Sequence, residues 1–240
     1  ALFMVPWPGP HLWPILMGAW AIHTLYKTLQ AMAYTRGAYT VVYPIVRGTG
    51  PLFTVIGAFL LFGEVFTIGQ WTGMGVLLCG IFGLAVYNLR NVTLERETLK
   101  MALILAFCTG LCVALYTTYD AFGIRASANP FTFLAWFFVI DSWTIPIVSL
   151  FYAKRKGIVL QGQGLWWRGP IGGLLAVASF GSILMATRLD KVGEAAVLRE
   201  TSTIFAALIG WLFLKETVGP RRVVLMALIA LGAVIVEFAG

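Results

Sequence analysis

The sequence predicts an all-α fold, a polytopic bundle of transmembrane helices, and two observations predict it. Hydrophobic residues occupy 60% of the 240 positions and charged residues only 11%, whereas soluble domains average about 45–50% and about 25%. The apolar residues also form runs of the length that crosses a bilayer as a helix. One soluble core could not bury this much apolar surface, but lipid accepts an apolar exterior. The lipid bilayer is therefore the first expected partner.

Eight segments are long and apolar enough to cross a membrane as helices. Their links are short, so neighbouring helices are expected to run antiparallel. The runs do not alternate every second residue, which argues against a β-barrel. The predicted segments are His11–Tyr34, Tyr39–Phe62, Ile68–Asn88, Met101–Gly123, Phe131–Tyr152, Arg168–Thr187, Val192–Leu214 and Arg222–Ala239.

The basic residues of the links predict the orientation. When successive links are assigned to alternating sides, one side collects 11 Lys and Arg residues and the other collects 3, namely Arg125, Arg188 and Lys191. Because cytoplasmic loops carry the excess of Lys and Arg, the first side is expected to be cytoplasmic and Gly240 to face away from it. The net charge of +7 is thus interpreted as a topology signal, and no nucleic-acid partner is expected.

Cysteine and histidine spacing predicts no metal site. Cys79, Cys108 and Cys112 all lie inside apolar runs, and His11 and His23 belong to no ligand motif. Neither a CxxC nor an HExxH pattern occurs. We therefore expect no metal, no cofactor and no catalytic residues.

The second half of the chain repeats the first at an offset of 152 residues. The offset pairs Arg47 with Arg199, Glu64 with Glu216, and Gly80 with Gly232. It predicts a first repeat at 1–97 with three helices and a second at 98–240 with five. The counterparts of the first two helices of the second repeat would precede residue 1, so we expect a ten-helix protein whose first two helices are missing here. Repeats of five helices have opposite orientations in the membrane.

Two stretches that the offset aligns, Val42–Ala85 and Ala195–Val236, resemble EamA-type transporters of the drug/metabolite transporter superfamily. Each carries a helix, a turn with Gly63–Glu64 or Lys215–Glu216, and then a further helix, which is glycine-rich in the first copy. The segment Ala114–Arg125 is similar to the first helix of the second repeat in some bacterial members. The resemblance implies ten helices in two inverted repeats, a central cavity, export or uptake of small solutes, and a bacterial inner membrane.

Arg47 and Arg199 are the first candidates for solute binding. Charges inside a bilayer are costly, by about 2.5–3.5 kcal/mol on insertion scales, so they usually face a cavity or a partner. Arg47 is followed by Gly48–Pro51, which predicts a broken helix of the kind that lines transporter sites. The alternative is a structural kink with both arginines paired to Asp141 or Glu200.

A polar stripe on the first helix is the second candidate. His23, Lys27 and Gln30 follow each other at spacings of four and three residues, so they share one helix face. We interpret the stripe as a cavity wall that meets an anionic or zwitterionic solute, and Tyr116 is added to this substrate site. The alternative is a seam of hydrogen bonds between helices.

Three carboxylates inside apolar segments are candidates for the coupling proton, namely Asp141, Asp120 and Glu200. A buried carboxylate can hold a proton. The alternative is a fixed salt bridge to Arg or Lys, which the sequence favours for Asp141 and more strongly for Asp120.

The predicted function is secondary active transport, with export of small polar metabolites such as amino acids by alternating access. The alternative is a membrane-embedded enzyme that acts on lipid or on a small hydrophobic substrate. Asp120 and Asp141 belong to no common motif, and no nucleophile–base spacing is visible. We therefore expect a transporter rather than an enzyme.

Overall fold

A computed structural model describes residues 5–37, 39–89, 96–157, 165–202, 205 and 219–239. Throughout these ranges the regular structure is helical, which confirms the all-α prediction. A 3₁₀ turn at Arg199–Thr201 follows α8. The α-helices are α1 (Leu12–Arg36), α2 (Tyr39–Phe62), α3 (Ile68–Leu89), α4 (Arg96–Ala126), α5 (Pro130–Ser142), α6 (Thr144–Lys156), α7 (Leu165–Leu189), α8 (Val192–Leu198) and α9 (Pro220–Phe238).

Five stretches of the described residues are long and apolar enough to cross a membrane, which supports a polytopic chain. They are Ile45–Phe62, Ile68–Tyr87, Thr98–Ala126, Pro130–Lys156 and Trp166–Leu189, and a shorter apolar helix covers Val223–Phe238. The first predicted segment forms α1 as a helix but is not among these five, since its polar residues lower its hydropathy. Of the predicted segment Val192–Leu214, residues 203, 204 and 206–214 lie outside the described residues.

The predicted segment Phe131–Tyr152 is two helices rather than one. Asn129 caps α5 by accepting a hydrogen bond from the Phe131 backbone N–H, and Pro130 occupies the first turn. The break falls at Trp143. Pro146 has no N–H to donate to the Ser142 carbonyl and its ring crowds that residue, which ends α5 there. Gly157, at φ 65°, ends α6 in the left-handed conformation.

The predicted break after Arg47 is wrong, because α2 continues as a helix through Gly48–Pro51. The glycines serve close packing instead. A β-carbon at Gly48 would lie 2.9 Å from the Phe82 ring of α3, and one at Gly50 would lie 2.9 Å from Val113 of α4. Packing on both sides holds a segment whose local propensity is poor for a helix. The irregular turn occurs at Arg199–Thr201, which the 152-residue offset pairs with residues 47–49.

Tertiary contacts divide the chain into two compact units. Unit 1 comprises Ala1–Thr24 and Tyr119–Leu189, and unit 2 comprises Leu25–Thr118 and Asp190–Gly240. Helices α1 and α4 each contribute to both units. Each unit draws on both halves of the chain, so compactness does not follow the proposed repeats 1–97 and 98–240, which remain a prediction.

In unit 2 the most extensive helix pair is α3 with α9. Their starts, Ile68 and Pro220, are separated by the repeat offset. Gly73 and Gly232 face each other across this pair, and a β-carbon at Gly73 would lie 2.8 Å from the Gly232 carbonyl oxygen. Leu77 and Ile229 are fully buried in the same core. Two glycines, whose lack of a side chain allows close approach, therefore form the helix crossing itself.

In unit 1 a core of leucine, isoleucine and phenylalanine side chains includes Leu16, Ile124, Phe133 and Leu184. Two arginines close the ends of the helices that enclose it. Arg125 Nε donates to the Thr187 carbonyl oxygen of α7 at 2.9 Å, and Arg188 donates to the carbonyl oxygens of Ile124 and Ser127 at the end of α4. Each arginine thus satisfies the last carbonyls of the other helix.

Arg125 and Arg188, which form these caps, are two of the three basic residues on the side predicted to face away from the cytoplasm. The third, Lys191 in unit 2, lies with its Nζ 3.5 Å from Gln70 Oε1, 4.0 Å from a Glu194 oxygen and 5.7 Å from the centre of the Phe66 ring. All three exceptions to the charge asymmetry therefore have structural partners. The orientation itself stays a prediction.

Candidate functional site

A carboxylate between two arginines lies at the centre of the candidate site in unit 2. Glu200 is 0% exposed. Arg47 Nη1 donates to both of its oxygens, at 3.2 and 3.3 Å, and Arg199 Nε lies 3.6 Å from Oε1. The two arginines are the pair that the repeat offset aligns. The structure therefore brings both to one group, and Glu200 is the partner that the sequence offered as one alternative.

Tyrosines on three helices complete the surroundings of the two arginines. Arg47 Nε donates to the Tyr43 hydroxyl oxygen at 3.0 Å, one turn earlier on α2, and its guanidinium carbon lies 5.2 Å from the centre of the Tyr43 ring. Tyr116 on α4 is hydrogen-bonded to Arg199. The Tyr116 ring packs edge-on against that of Tyr26 on α1, with the ring centres 5.1 Å apart.

Gln30 joins this group because its Nε2 donates to the Tyr26 hydroxyl oxygen at 2.8 Å. Lys27 is half-buried next to Tyr26 on α1. Of the predicted substrate residues, Arg47, Arg199, Tyr116 and Gln30 therefore lie in one connected group. Sequence reasoning missed Tyr43, although its spacing of four residues before Arg47 on a helix was a usable signal.

The segment that carries Arg199 and Glu200 is anchored from the start of α8. The Glu64 carboxylate accepts the backbone N–H groups of Val192 and Gly193 at 2.7 and 3.1 Å. Gln70 Nε2 donates to Glu194 in the same first turn of α8, at 2.9 Å. Satisfying the exposed N–H groups at a helix start stabilises it. Glu64 therefore caps the helix that leads into the site.

The charged group of the site is only partly closed to its surroundings. The side chain of Arg47 is 25% exposed and that of Arg199 is 15% exposed, whereas Glu200 is fully buried. Arg199 Nε has no hydrogen-bond partner among the described residues. The arrangement offers planar, permanently charged donors that suit a carboxylate or phosphate.

His23 and Asp120 form a separate buried pair in unit 1. His23 Nε2 and Asp120 Oδ2 are 2.7 Å apart, and both residues are buried. The rings of Phe137 and Phe180 lie against the imidazole, with centroid distances of 4.8 and 5.6 Å. The predicted stripe is therefore split, since His23 binds Asp120 whereas Gln30 binds Tyr26. The predicted alternative gave Asp120 an Arg or Lys partner, whereas its partner in the structure is His23.

The remaining coupling candidate, Asp141, is half-buried near the end of α5 in unit 1. Asp120 Oδ1 has no hydrogen-bond partner among the described residues. No cluster of three or more His, Cys, Asp or Glu side chains suited to a metal ion occurs in the part of the chain that the structure describes.

Comparison with known protein families gives a match. The profile of the family described as EamA-like transporter family matches residues 100–238, which is more than half of the chain. The matched stretch falls within the second repeat expected at 98–240 and includes Arg199 and Glu200. A comparison with curated proteins finds no match.

Proposed function

We propose a transport mechanism from one premise: the chain belongs to the EamA-like transporter family, part of the drug/metabolite transporter superfamily. It is an integral membrane protein with several membrane-spanning helices. The proposal is a secondary active exporter of small polar metabolites, such as amino acids, in a bacterial inner membrane. Transport proceeds by alternating access and involves no chemical change of the solute.

The observation that carries the proposal is the arginine pair around Glu200. Charged groups within membrane-spanning segments are costly and usually mark a solute or ion pathway. Here two arginines that the 152-residue offset pairs contact one buried carboxylate, and the side chain of Arg47 is 25% exposed. The solute carboxylate would accept hydrogen bonds from the guanidinium groups. In inverted repeats the binding site lies between the two copies while they exchange conformations.

A proton is the proposed coupling ion, and the His23–Asp120 pair is its proposed carrier. The pair is buried among aromatic rings, and Asp120 Oδ1 has no hydrogen-bond partner in the described part of the chain. Such a carboxylate is costly to keep charged there. Uptake of one proton neutralises the pair, and release restores its charge. Glu200 contacts two permanently charged arginines, so we assign it to the solute site and not to proton coupling.

Solute flux in proteoliposomes tests the proposal. The protein is reconstituted, the liposomes are loaded with a radiolabelled mixture of the protein amino acids, and efflux is measured for the parent, Arg47→Lys and Arg199→Lys. Lysine keeps the charge but lacks the planar donor fork. We expect both variants to lose about tenfold or more of the parental flux, since hydrogen bonds to charged groups are worth about 1.5–3 kcal/mol.

Arg168→Lys is the matched control. Arg168 is exposed at the start of α7, with its guanidinium carbon 5.1 Å from the centre of the Trp167 ring. The solute flux of Arg168→Lys should therefore equal that of the parent. Near-parental flux in both site variants would leave the arginines as counter-ions of Glu200. Absence of any flux in the parent, for amino acids and for other small metabolites, would contradict the transport proposal.

A further inference from the structure

The charges of the solute site do not balance. Two guanidinium groups, of Arg47 and Arg199, contact a single carboxylate, that of Glu200. The other described side chains that bond to them are those of the neutral Tyr43 and Tyr116. Glu200 is thus the single carboxylate among the described side chains bonded to the two arginines, and one positive charge is left over. A charge removed from water is stable only when a partner of opposite sign accompanies it.

We propose that Glu200 is a specificity-determining residue that sets the site to accept a monoanionic group, a single carboxylate, and to reject a dianion. This inference rests on the proposed function, since it concerns the solute that binds at the same arginines. One monoanion brings the group to neutrality. A dianion would leave a net negative charge among helices of low dielectric constant, where its cost is high.

The position of Glu200 suits this role better than that of an exchangeable counter-ion. Its carboxylate is 0% exposed, and both of its oxygens accept from Arg47 Nη1. It is also held in a 3₁₀ turn directly after α8, whose start is capped by Glu64. A group held in this way subtracts its charge from that of the two arginines.

Arg47 and Arg199 retain the capacity to bind a second anion. Arg199 Nε makes no hydrogen bond among the described residues. The guanidinium of Arg47 has five N–H donors; the described bonds use its Nε and Nη1. Its side chain is 25% exposed. The site therefore has donors for one carboxylate beyond the one that Glu200 supplies.

Anion binding to the purified protein tests the inference without a transport assay. The nine tryptophans report thermal unfolding in detergent, and a bound anion raises the unfolding temperature by mass action. The probes are acetate as the monoanion, and sulfate and succinate as dianions, each compared with chloride at equal ionic strength. The proteins are the parent, Glu200→Gln and Glu194→Gln. Glu194 belongs to the same segment but binds Gln70 and Lys191.

We expect the parent and Glu194→Gln to bind acetate more tightly than sulfate or succinate, and Glu200→Gln to reverse that order by tenfold or more. If Glu200→Gln does not fold, two other variants replace it. Glu200→Asp should keep the parental order of anion affinities, and Arg47→Gln, which removes the surplus charge, should weaken binding of all three anions. An unchanged order of anion affinities in Glu200→Gln would overturn the inference. If that variant does not fold, a lack of any effect of Arg47→Gln on anion binding would overturn it. So would a parent that binds none of the probes.

The two proposals fail separately. A reversal of anion preference in Glu200→Gln together with a parent that moves no solute would contradict transport and uphold the role of Glu200. Solute flux in the parent together with an unchanged anion preference in Glu200→Gln would uphold transport and contradict the role of Glu200.

Discussion

Replacing Gly232 by alanine measures how much the crossing of α3 and α9 depends on backbone contact. A β-carbon at Gly232 would lie 2.6 Å from the Gly73 carbonyl oxygen and 2.7 Å from Leu77 Cβ, whereas carbon contacts are optimal at about 3.5–4.0 Å. The two helices must therefore separate by roughly 1 Å. Overpacking costs about 1–3 kcal/mol, and alanine returns about 0.5–1 kcal/mol of helix propensity. The free energy of unfolding should fall by about 1–2 kcal/mol.

Gly75→Ala is the matched control for this prediction. Gly75 lies on α3 of the same helix pair, is exposed, and has no atom within 4 Å of its hypothetical β-carbon. It should keep or slightly raise the unfolding temperature, because only the propensity gain acts there. Thermal unfolding in detergent, followed by tryptophan fluorescence, compares both with the parent. Equal unfolding temperatures for the two variants would show that the helices do not cross at Gly232.

The remaining predictions concern topology and the buried pair of unit 1. The charge asymmetry of 11 to 3 places Lys154–Lys156 in the cytoplasm, so a reporter active only in the cytoplasm should be silent when fused at Gly240; strong activity there would refute the orientation. For the buried pair, single replacements of His23 or Asp120 by leucine should destabilise the protein strongly, and the double replacement should largely restore stability.

Most of the helices could be predicted because lipid imposes a length on apolar runs. The boundaries of α2 and α3 agree with the predicted segments to within one residue. The arginine pair could also be predicted, since the offset aligned Arg47 with Arg199 and intramembrane charges need partners. What the sequence left open was the partner itself, Asp141 or Glu200, because side chains distant in sequence meet only through the packing of α2 against α8.

The errors come from tertiary contacts that override local preference. Gly48 and Gly50 predicted a broken helix, but Phe82 and Val113 fill the space above them and α2 stays regular. The same local rule did hold at Pro146, where no such packing opposes it and the predicted single helix divides at Trp143. Local breakers are thus reliable where the helix is exposed and unreliable where close packing depends on the glycine.

The His23–Asp120 prediction separates stability from function. Each residue alone, left without its partner in a buried site, should cost about 3–5 kcal/mol of stability, whereas replacing both by apolar residues of similar size is often neutral. Phe137 and Phe180 already form apolar walls beside the imidazole, so the double variant His23→Leu with Asp120→Leu should fold. If the pair carries the coupling proton, this variant should still exchange amino acids across liposomes at equal pH but should lose accumulation driven by a pH gradient. Full gradient-driven accumulation by the double variant, at matched protein levels, would show that the pair only holds α1 against α4.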